Sequence, residues 1–304
     1  MADTNILKGH LAAGCAYTIF GLNIVFCKDI AACGIISPIA LFTMRAIGAA
    51  LLFWMISLFG PKEKVSRKDL PKIAAASFIG LFVPQLTFLS ACKMATAIDI
   101  AILGTLSPIY TMFVAAIVLK EPVTAKKAGG VVTSFAGVVF LIYNSVVSNN
   151  GVDVTSPWGI VLLILNAFSF ASYLGIFRPL IMKYSVITFM KWMFLFSLAI
   201  SLPFSFKDLI SAQYSAIPGN VILEIGFLIF FATFVAYFLI PIGQKHIRPT
   251  LVSMYSYLQP IIAAAIAIAI GMDRLSWQKI LATVLVVTGV VIVNRSRAAA
   301  IPSE

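Results

Sequence analysis

The chain has 304 residues, of which 61% are hydrophobic and only 11% are charged, and its formal net charge is +11. Soluble domains carry charge on about a quarter of their residues, so this composition excludes a soluble protein and predicts one that lives in a lipid bilayer. The excess of Lys and Arg forms no basic stripe with interleaved aromatic residues, and we expect no nucleic-acid partner. In a membrane protein, such an excess is typical of cytoplasmic loops.

Runs of about 20 apolar residues, the length that crosses the hydrocarbon core as a helix, recur along the chain. They predict an all-α integral membrane protein with ten transmembrane helices, over 7–27, 38–59, 72–92, 97–119, 126–145, 158–178, 186–206, 220–242, 249–270 and 277–294. A polar connector rich in turn formers occupies 148–157, between the fifth and sixth spans. We therefore predict a first repeat over 1–147 and a second over 158–304, joined by this linker.

Two stretches of the chain are similar to each other. When Pro108 is set on Pro260, segments 105–142 and 257–293 align without a gap, and an acidic, a Lys and a Gly position coincide. Chance likeness between apolar helices explains these matches poorly, whereas a duplicated half-protein explains them directly. Because each half has five spans, an odd number, the halves must enter the membrane in opposite senses. Inverted repeats of this kind are typical of transporters.

The distribution of Lys and Arg sets the orientation. With the N-terminus inside, the inner loops and tails hold fifteen of these residues and the outer loops hold five. This bias predicts that both termini lie in the cytoplasm and that the protein spans the cell (inner) membrane.

Polar residues in the middle of the spans are candidates for a substrate site, because a substrate that leaves water must be solvated by the protein. Several occupy matching positions in the two halves: Phe20 aligns with Phe170, Asn23 with Tyr173 and Gln85 with Tyr237. The candidate substrate-binding residues are Phe20, Asn23, Gln85, Thr105, Asn166, Phe170, Tyr173, Tyr237 and Tyr257. The alternative for the polar members is hydrogen bonding between neighbouring helices.

Proline and glycine residues in the spans have a backbone interpretation. Pro108 and Pro260 each remove a helix hydrogen bond, which makes them candidate hinges, although proline is also simply tolerated in membrane helices. Four glycines are expected to allow close helix packing: Gly129, Gly130, Gly137 and Gly289.

Few charges fall inside the predicted spans. Arg45 and Lys191 are expected to snorkel towards the membrane surface, and contact with a substrate carboxylate is the alternative. Spans one and six contain no carboxylate, so the acid expected of a proton-coupled cation antiporter is missing from the core. No metal-ligand cluster and no SxxK, GxSxG, HExxH or phosphate-binding loop occurs. We therefore expect no metal, no cofactor and no enzymatic activity.

The chain resembles the EamA-type branch of the drug/metabolite transporter superfamily over nearly its whole length. The resemblance rests on ten spans in two repeats, each with a Pro-containing fourth helix, an acidic turn and a fifth helix ending in Gly. These segments are SPIYTMFVAAIVLKEPVTAKKAGG with Gly137 and QPIIAAAIAIAIGMDRLSWQK with Gly289. The acids of the two turns, Glu121 and Asp273, are expected to cap the next helix or to pair with a nearby cation. The second copy has MDR where the family usually has GE.

The resemblance implies a central cavity lined mainly by spans one, three, four, six, eight and nine, and transport of small metabolites, often amino acids. We predict export of amino acids or related zwitterionic or uncharged compounds by alternating access. A non-transporting sensor, an embedded lipid enzyme and a lipid-carrier flippase are the alternatives. The expected partners are a small-molecule substrate and the bilayer, and the expected state is a monomer or weak homodimer.

Overall fold

Helices joined by short connections make up the parts of the chain that the computed structural model describes, which are residues 2–60, 63–119, 124–147, 155–272 and 276–295; these ranges contain no strand. The long helices in them are α1 (Ala2–Cys33), α2 (Pro38–Ser57), α3 (Leu70–Ala91), α4 (Ala97–Val118), α5 (Ala125–Val147), α6 (Pro157–Ile176), α7 (Val186–Ser211), α8 (Gly219–His246), α9 (Leu251–Ala269) and α10 (Trp277–Arg295). Eight are long and apolar enough to cross a membrane, while α5 and α10 contain shorter apolar stretches. The prediction of a ten-helix membrane protein built from two repeats is confirmed.

Three sequence expectations fall beyond the described ranges. Residues 148–154 of the predicted linker lie outside them, as do Glu121 and Asp273. The boundary between the repeats and the capping role of the two acids therefore stay predictions.

Side-chain caps define where several helices begin. Ser37 accepts a hydrogen bond from the Ala40 N–H at the start of α2, and Ser185 accepts one from the Thr188 N–H at the start of α7. Both distances are 3.2 Å. A serine at this position satisfies one of the backbone donors that a helix leaves unpaired at its first turn. Because α2 and α7 are the second helices of their repeats, the two caps are equivalent.

The main contacts between helices follow the symmetry of the two halves: each of them has an equivalent contact formed by the corresponding helices. α2 packs against its counterpart α7, α5 against α10 and α4 against α9. α1 packs against α8 and α9, and α6 packs correspondingly against α3 and α4. These contacts all join one half to the other, as expected for inverted repeats related by a pseudo-two-fold axis in the membrane plane.

Four helices depart from regular α-helix, at matching places in the two halves. α3 contains a π-helical segment at Phe78–Phe82, and α8 contains one at Leu228–Val235, which includes the aligned residues 230–234. α4 is interrupted between Gly104 and Ser107, and α9 changes to a 3₁₀ turn at Tyr255–Tyr257. Interruptions of this kind in membrane helices occur where the freed backbone groups are buried in protein or face a cavity.

Glycine contacts explain how α5 and α10 come so close together. A Cβ atom at Gly289 would collide with the Gly130 carbonyl and the Ser134 backbone, and one at Gly137 would lie 2.8 Å from Val286 Cγ2. The Ser134 hydroxyl also donates to the Val286 carbonyl, at 2.9 Å. The expected packing role is therefore present at three of the four glycines. Gly129 is the exception, because a Cβ atom there would meet nothing within 4 Å.

This difference predicts opposite effects for two chemically identical substitutions. Gly289→Ala must push α5 and α10 apart, and overpacking of this type costs about 1–3 kcal/mol. Gly129→Ala adds a methyl group in open space and removes the helix penalty of glycine, a gain of up to about 1 kcal/mol. The apparent melting temperature in detergent should fall for the first variant and stay level or rise for the second. Equal stability of the two variants would contradict the glycine-mediated contact.

Candidate substrate-binding site

A cavity of about 90 Å³ lies between the two halves, near the middle of the spans. α1, α2, α3, α4, α6, α8 and α9 all contribute to its walls. The lining residues are Tyr17, Phe20, Asn23, Ile24, Arg45, Pro84, Gln85, Phe88, Ile100, Gly104, Ser107, Leu163, Asn166, Ala167, Phe170, Tyr237 and Gln259.

The cavity lies on the pseudo-two-fold axis. In four pairs of aligned residues, both members reach it: Tyr17 with Ala167, Phe20 with Phe170, Gln85 with Tyr237, and Ser107 with Gln259. A site placed within one half would be lined by one member of each pair only. Both repeats therefore form the cavity, the first with eleven lining residues and the second with six.

An aromatic cluster forms one side of the cavity. The Phe20 ring meets the Tyr237 ring at 5.6 Å and the Phe170 ring at 6.5 Å between centroids, both edge to face. Phe170 and Tyr237 are 6.3 Å apart in the same geometry, and Tyr17 packs on Phe20 at 5.7 Å. Edge-to-face contacts stabilise such clusters beyond the burial of their area, so this wall is rigid and apolar, with two hydroxyl groups attached.

The lining also contains polar residues, and several of their polar atoms lack hydrogen-bond partners among the described residues. Both polar atoms of the Gln85 amide and the hydroxyls of Tyr17 and Ser107 are buried without a partner among the described residues. The hydroxyl of Tyr237 is close enough to the Gln85 amide to interact with it electrostatically. Buried polar groups without partners are rare, because each costs about 1–3 kcal/mol. Four such atoms in one lining make the cavity a candidate site for polar groups.

Six of the nine predicted site residues line the cavity: Phe20, Asn23, Gln85, Asn166, Phe170 and Tyr237. Two of them also form contacts between or within helices. The Asn166 amide donates to the Pro84 carbonyl at 2.6 Å, and the Asn23 carbonyl oxygen accepts from the Cys27 thiol at 3.5 Å. Helix–helix hydrogen bonding and cavity lining are therefore not exclusive for these residues.

Three predicted site residues lie outside the lining. The Thr105 hydroxyl donates to the Ile102 carbonyl of its own helix at 2.6 Å. Tyr173 is fully buried against Gly80, in the π segment of α3, where a Cβ atom would lie 2.5 Å from its ring. Tyr257 is half-buried and packs on the apolar core. Helical spacing placed these three residues on the same face as other candidates, but their side chains do not line the cavity.

The helix interruptions supply lining residues that we did not predict. Pro108 and Pro260 lie just after the breaks in α4 and α9. Since proline has no N–H, Pro108 leaves the carbonyl of Gly104, four residues earlier, without its helix donor. Gly104 lines the cavity, and a Cβ atom there would lie 2.7 Å from Gln259 Oε1. The sequence carried a signal for this arrangement, because each of these prolines follows a polar residue, Ser in one copy and Gln in the other. Whether the breaks act as hinges stays a prediction.

The expectation that Arg45 snorkels is wrong. Its side chain is only 2% exposed and points to α8, where the Nε–H donates to the Thr233 hydroxyl at 2.7 Å. Thr233 lies in the π segment, 188 residues further along the chain, so no local pattern could reveal this contact. The guanidinium group lines the cavity instead of reaching the membrane surface.

Comparisons with known proteins agree with this architecture. A family model described as "EamA-like transporter family" matches the chain over residues 7–143 and again over 157–295. An uncharacterized transporter of Archaeoglobus fulgidus is 30% identical over 154 residues, which is 50% of this chain and 52% of that protein, so the match spans about half of its length. The uncharacterized transporter YyaM of Bacillus subtilis is 26% identical over 263 residues, or 84% of each chain. A solved crystal structure with 18% identity has a TM-score of 0.64 and covers 95% of this chain and 96% of its own.

The polar lining can be tested with a matched set of variants. Gln85→Ala and Tyr237→Phe each remove a hydrogen-bonding group from the cavity, which typically costs about 0.5–1.5 kcal/mol, or up to about tenfold in affinity. Both should raise the half-saturation constant for uptake into liposomes. Tyr173→Phe removes the same hydroxyl from outside the lining and should leave that constant unchanged. If all three variants match the wild type, these residues serve helix packing only.

Proposed function

Because the chain belongs to the EamA-like transporter family, we propose that this membrane transporter carries small polar metabolites through the cavity between its halves by alternating access. The observation that carries the proposal is the position of that cavity. It lies on the pseudo-two-fold axis, near the middle of the spans, and holds polar groups without partners. A lipid-embedded enzyme would require a catalytic constellation there, whereas a transporter requires only a site that both halves share.

The lining residues favour zwitterionic or uncharged substrates, in the first place amino acids, over organic cations. The lining residues that the structure describes include no Asp or Glu. α1 continues to Cys33, beyond the predicted end of the first span, and therefore contains Asp29. This acid does not line the cavity. A cation would therefore give up its water without gaining a counter-charge, which is costly in a medium of low polarity. Pockets for drug-sized ligands measure about 300–1,000 Å³, so the smaller volume of this cavity suits a compact molecule.

Two equivalent polar contacts support the alternating-access mechanism. At one end of the molecule, the Ser185 hydroxyl at the start of α7 donates to the Glu63 carboxylate at 2.7 Å. At the other end, the Ser37 hydroxyl at the start of α2 donates to the Asp208 carboxylate at 2.5 Å. Each contact joins the two halves, and each uses the capping serine of equivalent helices. The pseudo-two-fold symmetry relates the two contacts. Such a pair is expected if the contact at one end breaks while the contact at the other end holds that end closed.

Further polar contacts strengthen the end that contains Glu63, which the Lys and Arg distribution assigns to the cytoplasm. Asp69 accepts from the Lys183 ammonium at 2.5 Å and from the Tyr184 hydroxyl at 2.7 Å, and these two donors hold its pKa at about 2. Burial favours the neutral form of Glu63, but hydrogen bonds from Ser185 outweigh it and lower the pKa of this carboxyl. Both acids are therefore charged at neutral pH, and the contacts persist across the physiological range. We propose that they separate when the site opens to the cytoplasm.

Reconstitution tests the function directly. Purified protein in liposomes should accumulate at least one labelled compound from a panel of amino acids and small polar metabolites faster than empty vesicles do. Unlabelled substrate on the opposite side should accelerate uptake, because alternating access exchanges substrate for substrate. Organic cations should cross no faster than in empty vesicles. If no panel compound crosses, the proposed transport of small metabolites is wrong.

A further inference from the structure

The cavity contains one formal positive charge, and the lining residues that the structure describes supply no counter-charge to it. Arg45 is the only Lys or Arg among the lining residues, and they include no carboxylate. The ion pairs found among the described residues both involve Asp69, at one end of the molecule, and neither involves Arg45. A guanidinium group stays charged at any physiological pH. An unpaired charge at membrane depth is expensive, and such residues usually mark a substrate pathway.

The protein contacts of Arg45 fix its position without neutralising it. Its Nε–H has one short hydrogen bond, 2.7 Å to the Thr233 hydroxyl, which is a neutral acceptor. Its two terminal nitrogens reach the Ala232 carbonyl at 3.5 Å and the Cys27 sulfur at 3.8 Å, distances at which hydrogen bonds are weak. A guanidinium has five N–H donors, so these three contacts leave donors available on a residue that lines the cavity. Thr233 and Ala232 belong to the π segment of α8, which therefore anchors the charge.

The two halves differ at this point in a way that makes room for the guanidinium. Gly80 in α3 aligns with Ala232 in α8, and Tyr173 in α6 aligns with Asn23 in α1. On one side of the axis, the Tyr173 ring of the second half covers Gly80 of the first half. On the other side, the smaller Asn23 takes the place of tyrosine, and it is Arg45 of the first half that reaches Ala232 of the second. The cavity is therefore asymmetric in charge, with Arg45 on one side of the axis.

Neutral donors surround this cation and complete an anion-binding set. The Tyr237 hydroxyl is close enough to interact electrostatically with Arg45 and with the Gln85 amide. The Gln85 nitrogen is buried without a partner among the described residues. One guanidinium, one amide N–H group and one phenol hydroxyl match the acceptors of a carboxylate. The aromatic wall of Phe20 and Phe170 lies across the same cavity and fits an apolar body.

We propose that Arg45 binds the carboxylate of the transported substrate, so that the protein selects carboxylate-bearing metabolites over their uncharged or cationic analogues. This inference rests on the proposed transport function and narrows its substrate class. It assigns the carboxylate to the side of the cavity formed by α2 and α8. Amino acids and simple carboxylic acids satisfy this requirement, whereas carboxamides and amines do not.

Four compounds with the same branched apolar chain, with and without a carboxylate, test whether the carboxylate determines affinity. Purified protein in detergent is titrated with L-leucine, 4-methylpentanoate, L-leucinamide and 3-methylbutylamine, and thermal stabilisation reports binding. The first two compounds carry the carboxylate and the last two lack it. The wild type should bind the carboxylates roughly 10- to 100-fold more tightly, since hydrogen bonds to charged groups are the strong ones. The same order should hold when these compounds compete for liposome uptake.

Variants assign this preference to Arg45. Arg45→Gln should abolish the discrimination between leucine and leucinamide. Arg45→Lys keeps the charge without the planar fork, so it should retain the preference with weaker binding. Lys191→Gln is the matched control, because Lys191 is also a cation within a span, but its ammonium lies 4.9 Å over the Trp54 ring and does not line the cavity. This variant should behave as the wild type does.

Three results would overturn the inference. They are equal affinity of the wild type for leucine and leucinamide, an unchanged preference in Arg45→Gln, and no binding of any member of the series. The first and last need only the wild type, so they stand even if Arg45→Gln fails to fold. Uptake of a panel compound without a carboxylate would refute the role of Arg45 and leave the transporter proposal intact. Failure of every panel compound to cross would instead count against transport itself.

Discussion

In the hydrocarbon core of a bilayer, no water is present to bond with polar groups, so the protein must satisfy each of them itself. Most of this structure obeys that constraint through helices, caps and side-chain bonds between helices. Even the π segments follow it, since the Ser169 hydroxyl donates to the Ile79 carbonyl at 2.6 Å and the Thr233 hydroxyl donates to the Leu228 carbonyl at 2.7 Å. The cavity is one place where the constraint is relaxed. Among the described residues, its Gln85 amide and two of its hydroxyls lack partners and its guanidinium lacks a counter-charge, which is costly unless a polar ligand binds there.

Duplication explains why these groups meet at one place. A feature that occurs in both inverted halves at the same depth appears on both sides of the axis, and helices that approach the axis bring their copies together. The breaks beside Pro108 and Pro260 are such a pair, and they deliver Ser107 and Gln259 to the same cavity. Function also needs a departure from symmetry. Asn23 and Tyr173 are aligned but unlike, and only the first of them lines the cavity together with Arg45.

The fold could be predicted from the sequence because its signal is strong and local. A run of about 20 apolar residues identifies a span regardless of what packs against it, and the ungapped match around Pro108 and Pro260 revealed the repeat. The site could be predicted only in part, because helical spacing gives the face of a residue but not its rotamer or its neighbour. Thr105 lies beside the break, yet its hydroxyl bonds to its own helix. Arg45 was misjudged because its anchor, Thr233, is remote in sequence.

The inverted arrangement of the halves is the claim on which the shared cavity and alternating access both depend. Its most direct measurement uses the two equivalent connections, between α2 and α3 and between α7 and α8. Single cysteines replace the exposed residues Ser66 and Gln213 in a background without native cysteines, and a membrane-impermeant thiol reagent is added to intact cells. Our account predicts that position 213 reacts in intact cells and that position 66 reacts only after permeabilisation. Labelling of both positions from the same side would contradict it.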